Sequence, residues 1–518
     1  MSNIRLTIDG QSIETTPGTT ILDAAKSIGI QIPTLCLVKG VKPMTSCLVC
    51  VVKANGRFCP SCATKVVEGM EIESETPEVH DARKTAIELL LGDHAGDCLA
   101  PCQFGCPVSM DIPNMLRAIQ HDDLESAITT IKADIAMPAV LGRVCGKPCE
   151  AGCRLKTVDD PVAICQMKRY VADWDLARET PYAPPLAKST GKRVAVLGAG
   201  PAGLSATYYL RRAGHEVLLI ERTTELGGRL VNESALPANV LNAEIATILA
   251  TGVTIHAEDD SYTSPDALDR LTQEFDTVLL ACGPLDEAIA KSWGVEQGRR
   301  GVEIQPSAYL TSREKVFAAG TILRGKNQVV RSVADGKEAA QAVSRYLSGA
   351  ENIATEKPFS VRAGKLTEDE TNELRKPVHE SPRFEPVAET TEYSPSQAVE
   401  QAARCLHCDC RAVETCLLKK HAEEYGAATN RYGSTRPTIT LDARHELILF
   451  EPGKCIKCGL CVEIASQEKE MLGLTFIGRG FDVRIAVPFD RSPHEAIGEL
   501  AARCAEACPT AAIAMRDE

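Results

Sequence analysis

Residues 192–221 read KRVAVLGAGPAGLSATYYLRRAGHEVLLIE. An apolar run, VAVL, ends at Gly198 and opens through Ala199, Gly200, Pro201, Ala202 and Gly203 into a helix-like segment; a second apolar run closes on Glu221. This is the pattern of a strand–turn–helix–strand unit that binds a dinucleotide. Gly198 makes the tight turn, Gly200 lets the backbone approach a pyrophosphate, and Gly203 lets the helix pack closely on the strand. Glu221, 18 positions past Gly203, is placed to hold a ribose hydroxyl, with the pyrophosphate charge on the helix N-terminus. A parallel α/β sheet is expected around this unit, and FDTVLLACG (275–283) and KVFAAG (315–320) supply further strands.

The chain has 518 residues, room for several domains, and 22 cysteines. Its net charge of -13 argues against a broad nucleic-acid or anionic-membrane surface. The first residues show neither a signal-peptide apolar core nor an Arg-rich transit character, and no apolar run reaches membrane-spanning length. A cytoplasmic protein is therefore expected. In that reducing compartment, clustered thiols point to metal rather than disulfides.

The chain divides into six segments. Residues 1–78 alternate as strands (IRLTIDG, QSIETT), continue as a helix (TTILDAAKSIGI) and pass a cysteine loop to a closing strand, a small α+β unit. Residues 79–180 are helical (ARKTAIELLL, IPNMLRAIQ, LESAITTIKA) and broken by two cysteine triplets; TPYAPPLAKSTGK then links them to an α/β domain over 190–350. Residues 351–396 read as a charged, Pro-punctuated connector, followed by cysteine-rich stretches at 397–430 and 431–518.

Cys36, Cys47, Cys50 and Cys62 form the first thiol set. The Cys47–Cys50 pair fits one iron, and Cys36 and Cys62 complete a four-thiolate 2Fe–2S site, leaving Cys59 spare. Zinc is the competing reading, but zinc loops usually carry two tight pairs. IPTLC, SCLVC and SCAT at these intervals resemble the 2Fe–2S ferredoxin domain that opens the large iron–sulfur subunit of complex I and of NADH-linked iron-only hydrogenases, which implies a β-grasp fold.

The second set is His94, Cys98, Cys102, Cys106, Cys145, Cys149, Cys153 and Cys165, eight candidate ligands for two 4Fe–4S clusters. The two triplets resemble the N-terminal helical domain of the glutamate synthase small subunit and of dihydropyrimidine dehydrogenase. By that resemblance Cys98, Cys102 and Cys153 share one cluster, and Cys106, Cys145 and Cys149 the other. His94 is the candidate fourth ligand of the first, because His-x3-Cys after a leucine-rich helix is how the complex I type subunit supplies its histidine; the alternative is a solvent-facing histidine at a helix end. Cys165 is the candidate for the second, against the alternative of a buried structural thiol. Lys168 stands where relatives place a Gln or Glu ligand, and an ammonium cannot ligate.

Cys405, Cys408, Cys410 and Cys416 in RCLHCDCRAVETC suit one 4Fe–4S cluster or one zinc ion. Cys455, Cys458 and Cys461 in CIKCGLC, with Cys508 before a proline, have the bacterial-ferredoxin spacing. This last region resembles the two-cluster ferredoxin domain of formate dehydrogenase and iron-only hydrogenase subunits. Ala465 replaces one ligand and the second motif keeps only Cys504 and Cys508, so a single cluster is expected, with Cys504 free. Cys59, Cys282 and Cys504 stay unassigned.

ELGGRL, with Gly228 and Arg229 beyond Arg222, LLACG at Gly283 and VFAAGT at Gly320 resemble the FAD domain of the glutamate synthase small subunit. That family usually has Asp after Gly320; here it is Thr321, whose hydroxyl can still hydrogen-bond. Related reductases insert an NAD(P)H domain between these last two motifs, yet only 36 residues lie there, too few for a second nucleotide fold.

The expected architecture is thus a β-grasp 2Fe–2S ferredoxin, a helical two-cluster domain, a Rossmann-like FAD domain and a C-terminal bacterial-ferredoxin-like domain. With one 2Fe–2S cluster, four 4Fe–4S clusters and FAD, it predicts an electron-transfer subunit of a multisubunit NAD-linked oxidoreductase of the hydrogenase, formate dehydrogenase or complex I-like type. Its partners would be an NADH/FMN-type subunit, a hydrogenase or formate dehydrogenase-type catalytic subunit, or a ferredoxin, with the ferredoxin modules at the two ends as ports. A flavin takes electrons in pairs and releases them singly, which opens the way to bifurcation. The alternatives are a self-contained NAD(P)H-dependent reductase or glutamate synthase relative, and a wiring scaffold with a vestigial FAD fold.

Overall fold

Strands β1 (Ile4–Ile8) and β2 (Gln11–Thr15) pair antiparallel. Asp9 and Gly10 between them take φ of 48° and 78°, the left-handed conformation that a two-residue hairpin requires. Helix Ile21–Ser27 starts where Thr20 Oγ1 accepts the Asp23 N–H at 3.1 Å, a side-chain cap. Strands β3 (Val51–Ala54), β4 (Arg57–Pro60) and β5 (Glu71–Glu73) complete a mixed sheet of order β2-β1-β5-β3-β4, with β1 and β5 parallel. Ile21, Ala24 and Ala25 of the helix share one core with Leu6, Ile8, Val52 and Ile72. A helix laid on such a sheet is the β-grasp arrangement. The structure is a computed structural model that describes residues 3–258, 264–355, 358–378, 380–384, 386, 393–432, 436–467 and 472–516.

Internal contacts group the chain into two units. The second, Pro101–Lys357 with Val378–Cys405, opens with helices Ile112–Gln120, Leu124–Asp134, Pro138–Val144 and Ile164–Leu176. Strands β6 (Arg193–Leu197), β7 (Glu216–Glu221), β8 (Thr254–Ala257), β9 (Thr277–Leu280) and β10 (Val316–Ala318) follow, all parallel, in the order β10-β9-β6-β7-β8. The central strands are buried along nearly their whole length, which is why VAVL, VLLI and TVLL are continuous apolar runs rather than alternating ones.

The first unit is Met1–Ala100, Pro358–Pro377 and Leu406–Glu518. Within it, β11 (Ile448–Phe450) pairs with β14 (Ile513–Met515), and β12 (Thr475–Ile477) with β13 (Arg484–Ala486). Leu35, Val49, Ile87 and Leu91 share one core with Phe450, Leu460, Ile464 and Ile513. Residues of the N-terminal segment and of the 448–515 region therefore share that core, and the division between units falls after Ala100, inside the first cysteine triplet.

The expected connector 351–396 lies partly outside the described residues. Its described part holds helix Glu368–Arg375, started by a capping box in which Thr367 and Glu370 exchange side-chain and backbone bonds. Thr-x-x-Glu at 367–370 is a readable start signal that the high charge of the segment obscured. Among the described residues no helix is long and apolar enough to cross a membrane.

In the second unit, Lys132 Nζ donates to Asp175 Oδ2 and to the Tyr182 carbonyl, both at 2.6 Å, while Asp175 Oδ1 accepts the Tyr182 N–H at 2.8 Å. Tyr208 Oη donates to the Lys132 carbonyl at 2.7 Å, tying the helical segment to the helix after β6. Both charges are buried. Asp175→Ala strands the ammonium and is expected to cost about 3–5 kcal/mol, read as a clear fall in the thermal unfolding midpoint; an unchanged midpoint contradicts the assignment.

Candidate functional site

In the N-terminal loop, Cys36 Sγ lies 3.3 Å from Cys47 Sγ, and the Cys50 and Cys62 thiols hydrogen-bond each other. The contact with Cys47 lowers Cys36 to about 5 and the contact with Cys62 lowers Cys50 to about 6, while Cys47 and Cys62 are pushed far up by the same contacts. Pairing therefore runs 36 with 47 and 50 with 62. These contacts differ from the sequence expectation that groups Cys47 with Cys50; Leu48 between them takes φ 54°. Cys50 and Cys62 sit in the β-grasp core, whereas Cys36 and Cys47 belong to the larger core that also holds Cys458. Cys59 stands in β4 opposite Val52.

In the second unit, Cys106, Cys145, Cys149, Cys165 and Lys168 line one small cavity. The Cys165 hydrogen bond lowers Cys145 to about 7, and burial pushes Cys149 up to about 12. Cys165 Sγ also lies 3.5 Å from the Gly142 carbonyl oxygen. Burial opposes the charge on Lys168, but the thiols of Cys165, Cys145, Cys149 and Cys106 outweigh it and raise the ammonium pKa. The lysine is thus the local counter-charge for four sulfurs. Cys102, in the short helix Pro101–Gly105 packed on helix Pro148–Ala151, and Cys153, which precedes the turn Arg154–Thr157, are not among that cavity's lining residues.

Cys455, Cys458, Cys461 and Cys508 line a cavity in the first unit, and Cys504 lines it with them. Burial raises Cys455 to about 11 and Cys458 to about 12. The Lys457 N–H donates to Cys455 Sγ at 3.3 Å. Ser46 Oγ donates to the Cys458 carbonyl at 3.2 Å, and the Cys36 charge is felt at Cys458, so the first and last thiol sets are neighbours. His94, at the end of helix Pro77–Asp93, is half-buried, and desolvation lowers its pKa to about 4, which keeps the imidazole neutral. Cys98, Cys410 and Cys416 are brought together. Cys405 belongs to the second unit and Cys408 to the first. Among the described residues no three or more His, Cys, Asp or Glu side chains converge as ligands of a single metal ion.

Beside β6 lies a cleft of about 710 Å³, lined by Gly198, Gly200, Pro201, Ala202, Glu221, Arg222, Gly228, Arg229, Cys282, Gly283 and Thr321. At Gly203 a Cβ would stand 1.8 Å from the Gly198 carbonyl oxygen, whereas at Gly200 it would meet nothing within 4 Å. The first position is therefore closed by packing and the second faces open space, as the pyrophosphate approach demands. Ala199 N–H donates to Glu221 Oε2 at 2.8 Å and Thr223 Oγ1 to Oε1 at 3.2 Å, fixing the carboxylate at the strand end. Thr321 Oγ1 lies 3.9 Å from the Cβ direction of Gly283. Between Gly283 and Gly320 the chain forms helix Glu287–Ser292, isolated bridges and the short strand β10, with no second nucleotide fold.

Three domain models match the chain: a 2Fe–2S iron–sulfur cluster binding domain over residues 1–77, the dihydropyrimidine dehydrogenase domain II, 4Fe–4S cluster, over 92–180, and a pyridine nucleotide-disulphide oxidoreductase domain over 164–336. The chain is built from iron–sulfur and oxidoreductase domains. It is 37% identical over 209 residues to the NADP(+)-dependent formate dehydrogenase subunit beta of Moorella thermoacetica, covering 36% of this chain and 29% of that one. It is 35% identical to the NADPH-Fe(3+) oxidoreductase subunit beta of Geobacter sulfurreducens (39% and 30% covered), and 36% identical to the NAD-dependent dihydropyrimidine dehydrogenase subunit PreT of Escherichia coli (38% and 49% covered). The chain spans less than half the length of each of these relatives. A solved NAD+-reducing [NiFe]-hydrogenase aligns at a TM-score of 0.35 and 13% identity, over 99% of this chain and 87% of that one, too distant to carry an argument.

Two outcomes follow from this geometry. Gly203→Val drives a side chain into the Gly198 carbonyl and is expected to abolish flavin retention, read as the flavin absorbance per chain after desalting. A unit charge within a few ångströms at an effective dielectric of about 20 is worth a few kcal/mol, so Lys168→Met should lower the midpoint potential of one iron–sulfur centre by on the order of 100 mV in an EPR-monitored titration and leave the others in place.

Proposed function

We propose that the chain is an iron–sulfur flavoprotein electron-transfer subunit of a multisubunit NAD-linked oxidoreductase, holding FAD in the β6 cleft, one 2Fe–2S cluster and four 4Fe–4S clusters. When bound, FAD exchanges electrons in pairs or singly and each cluster carries one at a time. The protein's part is binding, orientation and charge balance. The open backbone at Gly200 and the start of helix Pro201–Arg212 suit a pyrophosphate, and Glu221, fixed at the end of β7, suits a ribose hydroxyl. Buried thiols set among apolar side chains keep water from the metal. Backbone N–H groups aimed at Cys455, Cys416 and Cys98 stabilise thiolate charge.

The observation that carries this reading is the adjacency of the Cys36 and Cys458 sets in one apolar core of the first unit. Adjacent clusters make a wire, and a wire serves a protein that passes electrons on. The terminal ferredoxin regions would then act as one continuous port rather than as two separate ones. The absence of room for an NAD(P)H domain beyond Gly283 argues that reducing equivalents come from a partner: an NADH/FMN-type subunit, a hydrogenase or formate dehydrogenase-type catalytic subunit, or a ferredoxin. Two of the relatives are beta subunits of an NADP(+)-dependent formate dehydrogenase and of an NADPH-Fe(3+) oxidoreductase, assemblies of this same class.

Stopped-flow mixing of the purified holoprotein with NADH or NADPH is expected to leave the flavin band unbleached until the partner is added. Rapid bleaching without a partner supports a self-contained reductase instead, and a cluster-replete preparation without flavin supports a wiring scaffold.

A further inference from the structure

RCLHCDCRAVETC reads in sequence as one self-contained four-thiolate site, but the fold divides it. The Cys410 N–H donates to the Cys98 carbonyl at 3.2 Å, and Cys98, Cys410 and Cys416 lie close enough for the charges to be felt among them. Two of these sulfurs are met by backbone donors, Cys98 Sγ by Val361 N–H and Cys416 Sγ by Lys419 N–H, each at 3.4 Å. Such N–H···S bonds favour the thiolate, and a buried thiolate needs a cation. Lys454, buried and held at 2.6 Å by Glu451, feels the Cys410 charge.

The same lysine's carbonyl lies 2.9 Å from His94 Nδ1. A carbonyl only accepts, so Nδ1 carries the proton and the Nε2 lone pair is left for a metal. Gly96 keeps the space beside that nitrogen open, since a Cβ there would stand 3.5 Å from Nε2 and 3.1 Å from the Lys454 side chain.

Cys405 lies in the second unit. The adjoining Arg404 donates to the Asp160 carbonyl at 3.0 Å, and the Cys153 thiol accepts from the Val162 N–H in the same loop. Gly152, next to Cys153, sits with its Cβ direction 3.1 Å from the Pro101 carbonyl oxygen, immediately before Cys102.

We propose that Cys98, Cys410 and Cys416, with His94 Nε2, hold one 4Fe–4S cluster in the first unit, and that Cys405 joins Cys102 and Cys153 in holding another. The proposal rests on the cluster-binding reading above and changes which thiols share iron: both the first triplet and the 405–416 run are split.

The test uses the full chain, anaerobically reconstituted, with iron counted and clusters resolved by EPR. Iron in the parent chain tests the cluster-binding reading; the variants test the grouping. Cys98→Ser and Cys410→Ser should each remove the same signal and about four iron atoms, and the double variant should remove no more. Cys405→Ser combined with Cys410→Ser should remove two signals. The grouping is overturned if Cys98→Ser and Cys410→Ser remove different signals, or if Cys405→Ser and Cys410→Ser remove only one between them. An intact 2Fe–2S signal reports folding. Where a serine variant loses it, Cys98→Asp and Cys410→Asp, which retain a ligand atom, should shift the potential of one common signal; shifts in two different signals overturn the grouping. Nitrogen hyperfine coupling on that common signal, lost in His94→Cys, supports the imidazole, and its absence from the parent chain removes His94 from the site.

Discussion

A buried thiolate must be balanced by positive charge, and this constraint governs the molecule. Burial first, and the charge of neighbouring thiols second, push Cys149 and Cys458 to about 12 and Cys416 and Cys455 to about 11. Sulfurs in such places stay protonated unless a cation draws the proton off. The fold answers with apolar walls, backbone N–H donors, buried lysines and thiols grouped in pairs or fours. Iron supplies the remaining charge, and once the thiols are so arranged, charge can pass between neighbouring groups.

Two lysines show how closely the chain is fitted to that balance. Lys168 stands among four thiols of the second unit, where an ammonium cannot ligate but balances their charge. Lys454 stands beside Cys410 and offers its carbonyl to His94, so one residue serves both the sulfur and the tautomer of the imidazole. Neither role follows from the identity of the residue; both follow from where the backbone places it.

What the sequence revealed was local. The Gly198–Gly203 turn, the hairpin at Asp9–Gly10, the apolar runs of the parallel sheet and the set Cys36, Cys47, Cys50 and Cys62 are all encoded within short stretches, so their elements could be read directly. The pairing inside that set could not. Spacing favoured Cys47 with Cys50, whereas the thiol contacts run from Cys36 to Cys47 and from Cys50 to Cys62. Long-range partnerships were equally hidden: nothing near Cys98 in sequence announces Cys410, more than three hundred residues on, and nothing in either terminus announces that both end in one core. The helix at Glu368–Arg375 was legible from its capping box and was masked by the charge around it.

The most direct measurement of the central claim is metal and cluster content of the full chain prepared without oxygen, by elemental analysis with Mössbauer spectroscopy. One 2Fe–2S and four 4Fe–4S centres require about eighteen iron atoms per chain, with both cluster types resolved. Zinc in place of iron, or iron far below that figure after full reconstitution, would contradict it.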